Sequence, residues 1–120
     1  MIEDDVRAII TGSVDVPIYP RLIPSELPEC VTVQYAGGRP VKAGIRKAVH
    51  IITLLAVSRD RQTAADRLRD ARNALITSMP ADLGGIHYYT ATALGDGSLR
   101  RKTASGPVYI EYTDLEVLSS

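Results

Sequence analysis

The sequence predicts an α+β two-layer domain: an antiparallel sheet of four to five strands covered on one face by two helices, in the order α-β-β-α-β-β. Three observations lead there. Residues 2–11 and 59–79 carry apolar side chains at helical spacing. The segments around them are β-branched or alternate between apolar and polar residues. Connections within each strand pair are short, which favours antiparallel pairing and leaves both helices on one face.

Taken in order, the first helix is placed by Ile2, Val6, Ile9 and Ile10, which share a face. Glu3, Asp4 and Asp5 occupy its first turn, where the helix dipole favours negative charge, and Gly12 stops it. Residues 16–19 read as a short extended segment. Pro20, Pro24 and Pro28 then forbid a regular helix or a central strand. Val31, Val33 and Tyr35 alternate with Thr32 and Gln34 as a half-buried strand, which Gly37 and Gly38 are expected to end. Residues 37–46 read as a basic loop. Residues 47–58 are apolar on both faces and belong in the middle of a sheet.

The long helix is placed by Ala64, Leu68, Ala71, Leu75 and Met79. Asp60 or Thr63 caps it, Thr63 with Asp66 has capping-box spacing, and Pro80 ends it. Residues 86–94 read as a strand and Gly95-Asp96-Gly97-Ser98 as turn chemistry. Residues 99–104 read as a hairpin arm or loop. Val108, Ile110 and Tyr112 define a last strand. Its apolar phase then shifts to Leu115 and Val117, which predicts a bulge near Asp114.

At 120 residues the chain is expected to be one domain, 1–120, and it can bury a core without disulfides. No apolar run approaches the ~20 residues of a membrane helix. The acidic start, Met-Ile-Glu-Asp-Asp, is unlike a signal peptide, so a soluble protein made in a cytoplasm is expected. Net charge is zero but uneven: −4 over residues 1–29, +6 over 30–72 and −2 over 73–120.

Chemistry is sparse. Cys30 is the one cysteine and excludes an internal disulfide. His50 and His87 have no second histidine or carboxylate at metal-ligand spacing, so neither a metal nor another cofactor is expected. No serine lies in a Gly-x-Ser-x-Gly elbow, and the paired glycines lack the Lys-Ser/Thr of a phosphate loop. Glu111 and Asp114 fall on opposite faces of a strand. No catalytic residues and no enzyme activity are expected. The candidate partner-facing groups are basic: Arg39, Lys42, Arg46 and Lys47, and secondly Arg100, Arg101 and Lys102. Either set can remain solvated, meet phosphate or meet an acidic neighbour.

Three stretches resemble the tail terminator (tail-completion, minor capsid) family of long-tailed bacteriophages. They are LPECVTVQYAGG, IITLLAVSRDRQTAADRLRDARNAL and VYIEYTDLEVL. The resemblance implies a non-enzymatic virion protein of the neck, with an antiparallel sheet packed on helices. It implies a six-membered ring that caps the head-proximal end of the tail tube, stops its polymerisation and presents the head-joining surface. The implied partners are other copies of the chain, the tail-tube protein, the head connector or completion protein, and DNA passing the lumen without sequence specificity. No membrane partner is implied. Two other readings remain open: a head-completion or connector subunit of the same neck, and a small nucleic-acid-binding α+β module using the basic middle.

Overall fold

The computed structural model describes residues 2–19, 29–40, 47–103 and 106–120. They form α1 (Ile2–Ile10), β1 (Ile18–Tyr19), β2 (Cys30–Pro40), β3 (Ala48–Ser58), α2 (Arg61–Thr77), β4 (Ala81–Leu83), β5 (Ile86–Thr103) and β6 (Gly106–Ser119). The strands make one sheet in the order β1-β2-β3-β6-β5-β4. β1 lies parallel to β2, and every other neighbouring pair is antiparallel. The α+β class stands, with six strands in place of the four to five expected and one parallel edge pair. Both additions are short. β1 is the end of the extended segment expected at 16–19. β4 is folded back on β5 by Gly84 and Gly85, whose φ values of 58° and 81° suit a two-residue hairpin turn.

β3 sits between β2 and β6, as its apolar composition requires. α2 begins where Asp60, with extended φ and ψ, accepts the Thr63 backbone N–H at 2.9 Å, so the cap is Asp60. Its buried residues are Ala64, Leu68, Ala71 and Leu75, the stripe that the spacing defines. That stripe packs on β3 and β6, while α1 packs on α2 and β2 through Val6 and Ile10. Ile52, Leu54, Leu115 and Val117 meet the helices from the sheet.

A second, smaller core lies on the other face. Cys30, Val57, Val108 and Ile110 are buried there, with Tyr19 and Leu55 packed against them. This corrects the bulge expected near Asp114. β6 pairs with β3 without a register shift from Tyr109 to Ser119. Its apolar phase changes because Val108 and Ile110 feed one core and Leu115 and Val117 the other. The bulge beside Asp114 belongs to β5 instead, at the register shift between Ala93 and Gly95, which pair with Leu115 and Asp114; the other shifts lie between Tyr35 and Gly37 and between Tyr88 and Thr90.

Two glycine assignments are also corrected. Gly37 and Gly38 do not end β2, so residues 37–40 of the expected loop are strand paired with β3. Gly95-Asp96-Gly97-Ser98 is not a turn; β5 runs through it. Gly38 and Gly97 each lie beneath a tyrosine. A Cβ on Gly38 would fall 2.2 Å from the Tyr35 hydroxyl, and one on Gly97 would fall 2.1 Å from the Tyr112 ring. These glycines are seats for rings rather than breaks in the chain.

Candidate assembly surface

The sheet sets where the basic residues stand. Arg39 occupies a β2 position opposite Val49. Lys42 and Arg46 lie outside the described residues, as does the rest of the expected loop after Pro40. Lys47 is exposed, and its ammonium lies 4.9 Å from the Tyr89 ring centroid, a cation–π contact. Arg100, Arg101 and Lys102 project from the far half of β5, all exposed. Arg100 lies 6.0 Å from the Tyr109 ring. None of these three forms an ion pair with a carboxylate among the described residues. The structure therefore sets Lys47 beside Tyr89 and leaves Arg100, Arg101 and Lys102 at the other end of β5.

The arm they stand on is the end of the β5–β6 hairpin. Up to Asp96, β5 is held to the helical layer, where Arg72 of α2 lies 3.5 Å from the Asp96 carboxylate. Ser98 donates to Glu111, which Arg61 of α2 also approaches at 3.4 Å. Beyond these anchors Arg101, Lys102 and Thr103 pair with Val108, Pro107 and Gly106 of β6.

Both lateral edges of the sheet are largely open among the described residues. β1 covers β2 only at Val31 and Thr32, leaving positions 33–40. β4 covers β5 only at Ile86, His87 and Tyr88, leaving 89–103. The exposed large apolar side chains cluster on these strands: Tyr35 is 45% exposed, Ile86 37%, Leu94 54% and Leu99 57%. Tyr35 lies on the open part of β2, and Leu94 and Leu99 on the open part of β5. Sequence periodicity missed this, because it marks which residues are apolar and not which strand lacks a neighbour.

Cys30 is fully buried; burial, and then the neighbouring Glu29 charge, push its thiol up and keep it protonated. His50 shares its Nε2 with the Ser119 hydroxyl at 2.9 Å, and burial pushes its imidazolium down. It lines a pocket of about 360 Å³ with Ile2, Tyr35 and Tyr88. His87 Nδ1 lies 2.7 Å from Asp82 Oδ1, a carboxylate contact that the sequence reading did not foresee. The β4–β5 hairpin creates it by setting Asp82 opposite His87. Glu111 and Asp114 do fall on opposite faces. Glu111 points to α2, while Asp114 accepts from Thr53 on the other face at 2.6 Å.

No helix among the described residues is long and apolar enough to cross a membrane. No protein-family model matches the chain, and no curated protein matches it. Solved structures do. A chain from the structure titled "Virion of native gene transfer agent (GTA) particle" superposes with a TM-score of 0.57 at 14% sequence identity, covering 96% of this chain and 84% of that one. At that identity the likeness is one of fold, and it extends over nearly the whole chain.

Proposed function

We propose that this chain is a structural protein of a tailed, phage-type virion, and that it caps the head-proximal end of the tail tube as a ring. The observation that carries the reading is the fold likeness, over 96% of the chain, to a chain of a gene transfer agent particle. The stretches that resemble tail terminators fall on its framework. LPECVTVQYAGG runs into β2, the second stretch spans β3 and α2, and VYIEYTDLEVL is β6. The resemblance thus rests on the strands and helix that build both cores.

In this reading the protein acts by assembly, without catalysis. Its partners are further copies of itself in a ring of six, the tail-tube protein on one side and the head connector or completion protein on the other. DNA crosses the lumen without sequence-specific contact. A capping ring must match the rotational symmetry of the tube end it covers. The experiment is co-expression with the tube protein encoded in the same genome, followed by electron microscopy. Tubes of limited length bearing a terminal ring are expected, against open-ended polymers when this chain is omitted. Tubes that elongate alike with and without it would sink the capping role. Binding to the isolated connector and not to the tube would identify a head-completion subunit. Salt-sensitive binding of free DNA by the monomer would identify a nucleic-acid module.

A further inference from the structure

We infer that copies of this chain join head to tail by edge pairing, β5 of one copy lying antiparallel to β2 of the next along the edges left open among the described residues. The inference deepens the ring reading above and rests on it in taking the partner to be another copy.

Strand direction is the first argument. β2, β3, β6 and β5 are successively antiparallel, so β2 and β5 run in opposite directions at opposite sides of the sheet. A second copy set beside the first, in the same orientation, brings its β2 next to this β5 in antiparallel sense. Such a contact uses two different surfaces, leaves one edge open at each end and propagates until a ring closes.

Exposure is the second argument. Soluble proteins usually blunt an open edge with Lys, Pro or inward charge. Between Tyr89 and Leu99, β5 carries one charge, Asp96, and no proline or lysine. Positions 33–38 of β2 carry no charge at all. The exposed Leu94, Leu99 and Tyr35 stand on these same stretches. The bulges at Ala36 and Leu94 interrupt the edges, and Gly95–Thr103 keeps an unbroken register with β6 over nine residues.

Charge is the third argument. The basic arm, Arg100 to Lys102, extends from the β5 side. The acid on the opposite, β2 side is Asp15, which also meets Arg67 at 3.1 Å. Its side chain is 79% exposed and lies just ahead of β1. Edge pairing sets the positive end of one copy towards the negative side of the next.

The test uses the full chain and two variants. Leu94→Lys with Leu99→Lys disables the β5 edge, and Tyr35→Lys disables the β2 edge. Circular dichroism checks folding, and Ala36→Lys replaces Tyr35→Lys if the latter unfolds. Sedimentation velocity up to the solubility limit reads association. The parent is expected to form oligomers larger than a dimer. Each variant alone is expected to be monomeric, and their equimolar mixture to stop at a heterodimer, because each supplies one intact edge. A β2-edge variant that still dimerises alone, with no heterodimer in the mixture, would show two-fold β5–β5 pairing and overturn the inference. So would a parent that stays monomeric at every concentration. Oligomers unaffected by either variant would overturn edge pairing while leaving the ring, and the tube-capping experiment, standing.

Discussion

Glu29 joins four parts of the chain. Its carboxylate accepts from Arg67 of α2 at 2.8 Å, from the Arg59 backbone N–H at 2.7 Å and from Ser58 of β3 at 2.9 Å. Arg67 also reaches Asp15 at 3.1 Å. Burial alone would raise the Glu29 pKa; these donors more than offset it and hold the group below its ordinary 4.5. A depressed folded-state pKa stabilises the fold above the unfolded value, and that contribution is lost as pH falls through the folded one. Glu29→Gln is expected to destabilise by about 1 kcal/mol at pH 7, a modest figure because solvent screens a partly exposed pair. Urea unfolding across a pH series should show the gap between variant and parent closing below pH 4.5. A gap that stays constant down to acid would remove the ionic account. In the core, Leu68→Ala is expected to lose about 2–5 kcal/mol in the same assay. An unchanged midpoint would mean that the α2 stripe has the wrong phase. The difference in legibility between these residues is one of range. Asp60 and Thr63 are three residues apart, and their cap is readable in sequence. Glu29 and Arg67 are 38 apart, and Tyr88 donates to Asp5 across 83, so folding alone brings those pairs together.

At the scale of the elements, helices and the central strand were legible because their periodicity reports a single buried face. β6 was harder because it serves a different core with each half. The glycines misled for a related reason. Gly37-Gly38 and Gly95-x-Gly97 have turn composition, yet Gly38 and Gly97 accept the rings of Tyr35 and Tyr112, and nothing local distinguishes a seat from a break. The Tyr112 contact is testable, since Gly97 and Tyr112 are directly paired across β5 and β6. Gly97→Ala displaces the ring and is expected to cost about 1–3 kcal/mol through overpacking. In a Tyr112→Ala background the same substitution should be nearly neutral, because no ring remains to be moved. A double-mutant cycle by chemical denaturation measures the coupling directly. Additive effects would show that Gly97 is needed for backbone freedom instead. The same packing explains why the sequence read as a strand, a turn and then a hairpin arm or loop where the chain makes one strand of 18 residues.

At the scale of the whole molecule, shape and charge act together. The chain extends over 52 × 25 × 20 Å, its length set by β5 and β6. An 18-residue strand would reach roughly 60 Å if straight, so β5 spends part of its length in bulges and twist. Its free end carries Arg100, Arg101 and Lys102, all exposed, at the rim of the smaller core, where Arg101 is paired with Val108. Sequence alone put Arg39, Lys42, Arg46 and Lys47 first and Arg100, Arg101 and Lys102 second. The hairpin gives the second set reach, while Lys42 and Arg46 of the first lie outside the described residues. Because Arg100, Arg101 and Lys102 are all exposed, reversing them to Glu is expected to leave thermal stability within about 0.5 kcal/mol of the parent. Association should respond in the opposite manner. In the parent it should weaken as salt rises, since exposed charges more than about 8–10 Å apart are screened near physiological ionic strength. In the reversed variant the arm repels the acidic side of its neighbour, so association should be weaker at low salt and improve as salt is added. Sedimentation velocity at three salt concentrations separates the two slopes. A variant that assembles like the parent at every salt concentration would show that the arm is merely solvated, and that the edges alone hold the copies together.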